Sequence, residues 1–493
     1  MLIRRNPSVY EINTWVWLTD LSSRFERTVT LGDVPSEALD EIAAWSPDVV
    51  WMMGVWQRSP HGRAIALSHP DLQFEYQRVL PNFRDEDIVG SPYAVYRYVV
   101  DGHLGGPDGL AAFREQLQQR GIALLLDYVP NHVAVDHHWT VDCPDCLVRG
   151  TEEDLALRSS FYFHTAENNL IFAHGRDPYY PPWTDTAQVN AFSPDARAQS
   201  LATVQSIANQ CDGVRCDMSM LLVNRIFSNL WNMESPHTEF WHDLIPAVKE
   251  EHPGFVFMAE VYWEMEAELQ SLGFDYTYDK RLYDRLLHES VHIVRDHLYA
   301  ASTYQRRMVR FIENHDERRA QESFGYERSM AAAALTMLLP GAKLYYDGQF
   351  EGRRIKLPVQ LGVRPKETPN EPLKTFYAKV TAELSHAVYH DGTFMMLGTQ
   401  PILSHDESHE NLFAFAWALD DEWRVTVVNY SDREAKGRIM LPRPSMAGMT
   451  TWIFTDALNP ENALLYGGDD LLTSGLPIDL PAYGAYLFAV SKG

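Results

Sequence analysis

GVRCD, residues 213–217, is a short apolar run that stops at an arginine and an acid. A buried parallel strand reads this way when it ends in an active-site loop. Three other segments have the same form: DYVPNHV (127–133), MAEVYW (258–263) and FIENHD (311–316). Together the four carry three acids, Asp217, Glu260 and Asp316, accompanied by Arg215, His132 and His315. A lone Asp or His at a strand end commonly caps the next helix or turn. Four such ends in series point instead to one barrel mouth.

Outward from these segments, apolar strand-like runs alternate with longer helix-like stretches up to about residue 390, the rhythm of a parallel βαβ sheet. Candidate strands are 9–17, 48–54, 122–128, 213–217, 255–261, 273–277, 308–313 and 342–346, the set a (β/α)8 barrel needs. Residues 109–121 have amphipathic helical spacing and a closing glycine, and AAAALTMLLPGA (331–342) reads as a buried helix of the outer ring. Residues 133–195 break the rhythm and are rich in Pro, His, Asp and aromatics, so a small functional insert is expected after the third strand. From 393 the alternation becomes β-like (LFAFAWAL, WRVTVVNY, TTWIFTD, AYLFAVS), which predicts an antiparallel β-sandwich over 393–493. The expected organisation is a barrel over 1–132 and 196–392, an insert over 133–195, and a sandwich that caps the barrel, with starch binding as its alternative role.

The ordered set resembles the four signature regions of the α-amylase family, retaining enzymes that hydrolyse or transfer α-glucosides. The resemblance covers about the first 390 residues and includes the opening SVYEINTWVW (8–17). It implies Asp217 as nucleophile, Glu260 as general acid/base and Asp316 as transition-state stabiliser. Arg215, His132, His315 and Asp127 would bind or orient the sugar, and Tyr93 would stack beneath it, with Trp183 and Trp263 as further aromatic candidates. Residues 179–190 resemble the family's additional conserved region, with Gln188 and Asn190 in a shifted Gln-x-Asn spacing. Asn131 matches a position that contributes to a calcium site in the family, which leaves calcium open as a structural ion. The reaction needs no cofactor, and no metal ligand is assigned.

The chemistry asks for these residue types. Breaking a glycosidic bond takes one group to protonate the departing oxygen and another to meet positive charge at the anomeric carbon, on two carboxyl groups about 5 Å apart in retaining enzymes. Arg215 and Asp217, two apart on a strand, point to one side, so the guanidinium should hold Asp217 ionised. Glu260 follows the apolar FVFMA and precedes Val261, Tyr262 and Trp263, surroundings that suit a protonated working acid. Hydrolysis is the default expectation. Transglycosylation or isomerisation, of the maltosyltransferase or trehalose-synthase kind, would use the same residues, and Gln349, Glu351, Arg353 and Arg354 after the eighth strand could line such a cleft. The reading from another class is a non-catalytic carbohydrate-binding or scaffold relative, which would be expected to lack one of the acids.

Composition agrees. The 493 residues are 45% hydrophobic and 22% charged, as in an ordinary globular protein of two or three domains. Acids outnumber Lys plus Arg by 67 to 42, a formal charge of −25 that disfavours nucleic-acid and anionic-membrane partners but not an α-glucan or oligosaccharide. MLIRRNPSVYEI has no apolar stretch of signal-peptide length, so the simplest address is the cytoplasm. The cysteines at 143, 146, 211 and 216 are expected to be reduced, structural or incidental. Oligomeric state leaves no trace in the sequence.

Overall fold

All eight expected segments form strands in the computed structural model, which describes residues 2–441, 450–461 and 463–493. They are β1 (Ser8–Asn13), β2 (Val49–Met53), β3 (Ala123–Tyr128), β4 (Gly213–Cys216), β5 (Val256–Ala259), β6 (Tyr276–Tyr278), β7 (Met308–Arg310) and β8 (Ala342–Tyr346). They close into a parallel barrel in sequence order. Every residue of β2, β3 and β4 is buried, the signature of strands covered on both faces. The register sets Arg215 of β4 beside Asp127 of β3 and Met258 of β5. Gly213 opens β4 because a Cβ there would lie 2.6 Å from the Val256 carbonyl oxygen and 2.7 Å from Leu125.

The first strand is shorter than its apolar run. Asn13 accepts a hydrogen bond from the Val16 amide and caps a helix, Thr14–Arg24, so TWVW turns helical where a strand was expected. The helix expected over 109–121 runs Gly106–Gln119 and ends near Gly121, whose φ of 75° is left-handed. The alanine-rich run lies in the helix Tyr326–Leu338, nearly all of its second half buried.

Most of one compact unit is Val9–Tyr278 with Ile355–Lys366, and most of the other is Asp279–Arg354 with Glu367–Gly493. In the first unit, the segment after β3 pairs His132–Ala134 with Thr186–Gln188 and Tyr162–His164 with Ile171–Ala173. It has a small core of its own, including Val133, Trp139, Leu147, Phe172 and Val189. Cys146 belongs to that core and is bonded to Cys143 as a disulfide, contrary to the reduced pair expected; the turn Pro144–Cys146 brings the two residues together. Cys211 and Cys216 are free and buried.

Among the described residues, the second unit contains β7, β8 and nine C-terminal strands: β9 (Thr393–Met396), β10 (Thr399–Gln400), β11 (Leu412–Leu419), β12 (Glu422–Asn429), β13 (Ala435–Ile439), β14 (Thr451–Asp456), β15 (Ala463–Gly467), β16 (Leu476–Leu480) and β17 (Ala485–Lys492). A six-stranded sheet, β9-β11-β12-β17-β14-β15, and a three-stranded one, β10-β13-β16, are both antiparallel. Their shared core includes Trp423, Val425, Phe454, Ile478 and Phe488. Among the described residues no helix is long and apolar enough to cross a membrane.

Candidate active site

In the first unit, the ladder of β4 continues one step past its end, where the Asp217 amide donates to the Tyr128 carbonyl at 2.9 Å. Met218 then turns into the left-handed region, with φ 42°, and its amide donates to Glu260 Oε2 at 2.7 Å. A non-glycine residue held there is a cost usually met at functional sites. Here it fixes the acid that follows β5 against the acid that follows β4.

Arg215 lies under both. Its buried guanidinium places Nη1 2.7 Å from Asp217 Oδ1 and Nη2 2.9 Å from Glu260 Oε2. Nε donates to the Tyr278 hydroxyl at 3.3 Å, and the rings of Trp51, Tyr93 and Tyr278 flank the guanidinium at 5.3, 5.3 and 5.7 Å. Burial alone would lower the arginine's pKa, but Glu260, Tyr93, Tyr278 and Asp217 outweigh it and hold the value well above normal. The cation is permanent. Glu260 also accepts from the Tyr262 hydroxyl at 2.8 Å. The apolar setting expected for Glu260 is therefore polar and charged, because the fork that reaches Asp217 reaches Glu260 as well.

Asp127 was expected to bind substrate, but the structure gives it a different task. It is buried, and its two oxygens accept from the Trp51 indole at 3.1 Å and the Gly54 amide at 2.7 Å. Its carboxylate braces the ends of β2 and β3. His132 is buried, pairs in register with Gln188 and packs 4.9 Å from Trp183. Burial lowers its pKa to about 3, against a hydrogen bond to the Tyr93 backbone, so it is a neutral imidazole. Tyr93, His132, Arg215, Asp217 and Glu260 are thus brought together. Trp263, left-handed at φ 63°, meets Tyr179 edge-on at 5.2 Å, and Tyr179 and Tyr180 are 70% and 72% exposed.

In the second unit, FIENHD leaves β7 as a tightly tied loop. Glu313 holds Arg319 and the Ala320 amide, each at 2.6 Å, and Asn314 Oδ1 accepts from the amides of Asp316 and Glu317 at 2.9 Å each. His315 is buried and its Nε2 lies 2.9 Å from Asp316 Oδ2, while the Asp316 side chain is 40% exposed. This leaves the Asp316 carboxylate partly presented, with a histidine fixing its direction. Gln349, expected to line a cleft, is buried and bonds the Tyr346 amide and the Tyr377 hydroxyl at 3.3 Å each. Burial raises the Glu351 pKa, and the Arg354 amide donates to Glu367 at 2.7 Å.

Calcium does not fit at Asn131. The backbone carbonyl and Oδ1 of this buried residue both accept from Gln188 Nε2, at 2.8 and 3.0 Å, so an amide lies where an ion would have to. Calcium wants six or more oxygens, and among the described residues no group of three or more His, Cys, Asp or Glu could hold a metal. Trp51 and Tyr278 escaped the sequence reading, and Tyr262 entered it only as part of an apolar setting for Glu260. Their common signal is an aromatic on or just past a barrel strand, a pattern too frequent in this chain to select them.

Residues 91–369 match the family described as alpha-amylase, catalytic domain. Alpha-amylase MalA from Haloarcula japonica is 23% identical over 339 residues, 67% of this chain and 42% of that protein. The chain spans about half or less of the length of the curated relatives it matches. Among solved structures, a maltogenic alpha-amylase from Thermotoga neapolitana shares the fold with a TM-score of 0.69 at 16% identity, over 98% of each chain. An alpha-amylase from Geobacillus thermoleovorans, solved with acarbose, does so at 0.67 and 15% identity, over 99% and 98%.

Proposed function

This chain belongs to the α-amylase family, and on that basis we propose that it cleaves α-glucosidic bonds of α-glucans or maltooligosaccharides with retention at the anomeric carbon. The observation that carries the reading is the Arg215 fork spanning Asp217 and Glu260. One guanidinium touching both carboxylates keeps them on one side of the site, which supports a double displacement by a pair of neighbouring carboxyl groups.

In the first step Asp217 attacks the anomeric carbon while Glu260 gives its proton to the departing oxygen. The bond to the leaving sugar breaks and a glycosyl ester forms. Asp217 loses its negative charge as Glu260 acquires one. Arg215 lies within ion-pair distance of both, so a charged carboxylate is paired before and after the step and little reorganisation is needed. Glu260 then takes a proton from water, which attacks the ester and frees Asp217. The family resemblance gives Asp316, whose direction His315 fixes, the role of transition-state stabiliser, and Tyr93 offers a face for stacking. Neutral His132 donates a hydrogen bond without adding charge.

A second reading is transfer to a sugar hydroxyl, supported by the exposed Tyr179 and Tyr180 of the insert beside the half-buried Trp263 on the loop that follows Glu260. Time-resolved product analysis with maltoheptaose, with and without added maltose, tests both. Shorter products alone mean hydrolysis, and longer ones mean transfer. No turnover of maltoheptaose, sucrose or trehalose by folded protein would sink the proposal and favour a carbohydrate-binding relative.

A further inference from the structure

Tyr262 stands two residues past Glu260, on the loop that follows β5. That loop doubles back at once. Trp263 and Glu264 are consecutive, neither is glycine, and both are left-handed, with φ 63° and 59°. The Met265 amide closes the turn onto the Tyr262 carbonyl at 3.4 Å. Two such residues in a row are a cost met where a side chain has to be aimed. The side chain aimed here is Tyr262, half-buried, whose hydroxyl donates to Glu260 Oε1 at 2.8 Å.

The rest of Glu260 is held from the side of β4. Its amide donates to the Cys216 carbonyl at 3.0 Å, and its carbonyl accepts from the Ser219 amide at 3.1 Å. Oε2 accepts from the Met218 amide at 2.7 Å and faces Arg215 Nη2 at 2.9 Å. A proton on Oε2 would point at a cation and an N–H, neither of which can accept it. Oε1 meets a hydroxyl, which rotates to donate or to accept. The two oxygens of one carboxyl group are therefore not equivalent.

We infer that Glu260 carries its working proton on Oε1, and that Tyr262 is the positioning residue that selects this oxygen and meets the charge left on it. The inference rests on the activity proposed above. The proton passes from Oε1 to the glycosidic oxygen, which keeps the electron pair of its breaking bond to the anomeric carbon. The lone pair left on Oε1 becomes a charged acceptor for the Tyr262 O–H. A hydrogen bond to a charged oxygen is roughly twice as strong as a neutral one. The contact therefore tightens as the proton leaves and favours the transition state over the ground state. In the second step Oε1 takes a proton from water and the hydroxyl turns again. Of the other ionisable groups about Glu260, Arg215 stays charged and Tyr278 stays protonated, burial raising its pKa well above normal. Asp217 must be ionised to attack, so it sets the acidic limb of a rate–pH profile and leaves the basic limb to Glu260.

The test compares rate–pH profiles of wild type, Tyr262→Phe and Glu260→Gln on maltoheptaose and on α-maltosyl fluoride, whose leaving group needs little protonation. Phenylalanine fills the same space, and thermal melting checks the fold. Tyr262→Phe should move the basic limb of kcat/KM up by about one pH unit, because the carboxylate loses a donor. At the optimum kcat/KM on maltoheptaose should fall about fivefold, and on the fluoride by less. A basic limb that is unmoved or lowered in folded Tyr262→Phe, or equal losses on the two substrates, overturns the role of Tyr262 and leaves the catalytic reading standing. Wild-type turnover of maltoheptaose by Glu260→Gln would mean that the acid is another residue, and the catalytic reading itself would fall.

Discussion

Arg215 is the residue on which the catalytic account turns. A lysine ammonium is a point charge and cannot span two carboxylates with separate nitrogens, so Arg215→Lys should cost about 10²–10³ in kcat, the scale of losing one preorganised donor at a reacting centre. Steady-state kinetics on maltoheptaose measures it, and a loss under fivefold would mean the fork does not matter. Asp217→Asn should cost ~10³ or more with melting unchanged, as expected for a missing nucleophile. The motif residues were legible because each acid closes an apolar strand. Their partners were not. Arg215 was expected to hold Asp217 ionised and to bind or orient the sugar, but its contact with Glu260 was not foreseen, since strand spacing reports which side chains share a face but not how far a guanidinium reaches across to the next strand. Asp127 looked like a sugar ligand for the same reason: the sequence does not show that the Trp51 indole and the Gly54 amide take its oxygens.

At the scale of elements, the barrel strands were readable and their ends less so. TWVW is as apolar as a strand, and only the capping amide bond to Asn13 turns it into a helix. Asn13→Ala should therefore cost about 1 kcal/mol, the usual loss of an N-cap side chain, measurable by urea unfolding; an unchanged midpoint would show that tertiary packing alone sets the helix start. The insert was visible as a break in rhythm, but its core and its disulfide were not, because Cys-x-x-Cys spacing is shared by redox, metal and incidental pairs. The Cys143–Cys146 ring is short, so replacing both cysteines with serine should cost about 2 kcal/mol by loop-closure entropy and leave turnover intact. Melting and kinetics with and without reductant check this, and a large fall in activity on reduction would contradict a purely structural bond.

For the whole molecule, the clearest consequence of burial is acid lability. His132 and His137 are both buried in the first unit, and burial pushes each pKa from 6.5 to about 3. His137 keeps its neutral form by accepting the Trp139 amide on Nδ1 at 3.2 Å. Between these values the unfolded chain binds protons that the native histidines refuse, so stability rises with pH. The contribution is complete above about pH 6.5 and is lost as pH falls toward 3, at up to ~1.4 kcal/mol per pH unit for each histidine. Urea midpoints from pH 7 to 4 should fall steadily, and His137→Gln should reduce the slope by about one histidine's share. Midpoints flat over that range would mean the histidines are protonated where they lie. None of this was legible in the sequence, where a histidine's burial has no mark.

The central claim, a double displacement through Asp217, is tested most directly by the configuration of the first product. Proton NMR during the first minutes of maltoheptaose cleavage, before mutarotation, should show the α-anomer at the new reducing end. A β-anomer appearing first would mean that water attacks opposite the leaving group in a single step, and would contradict the account.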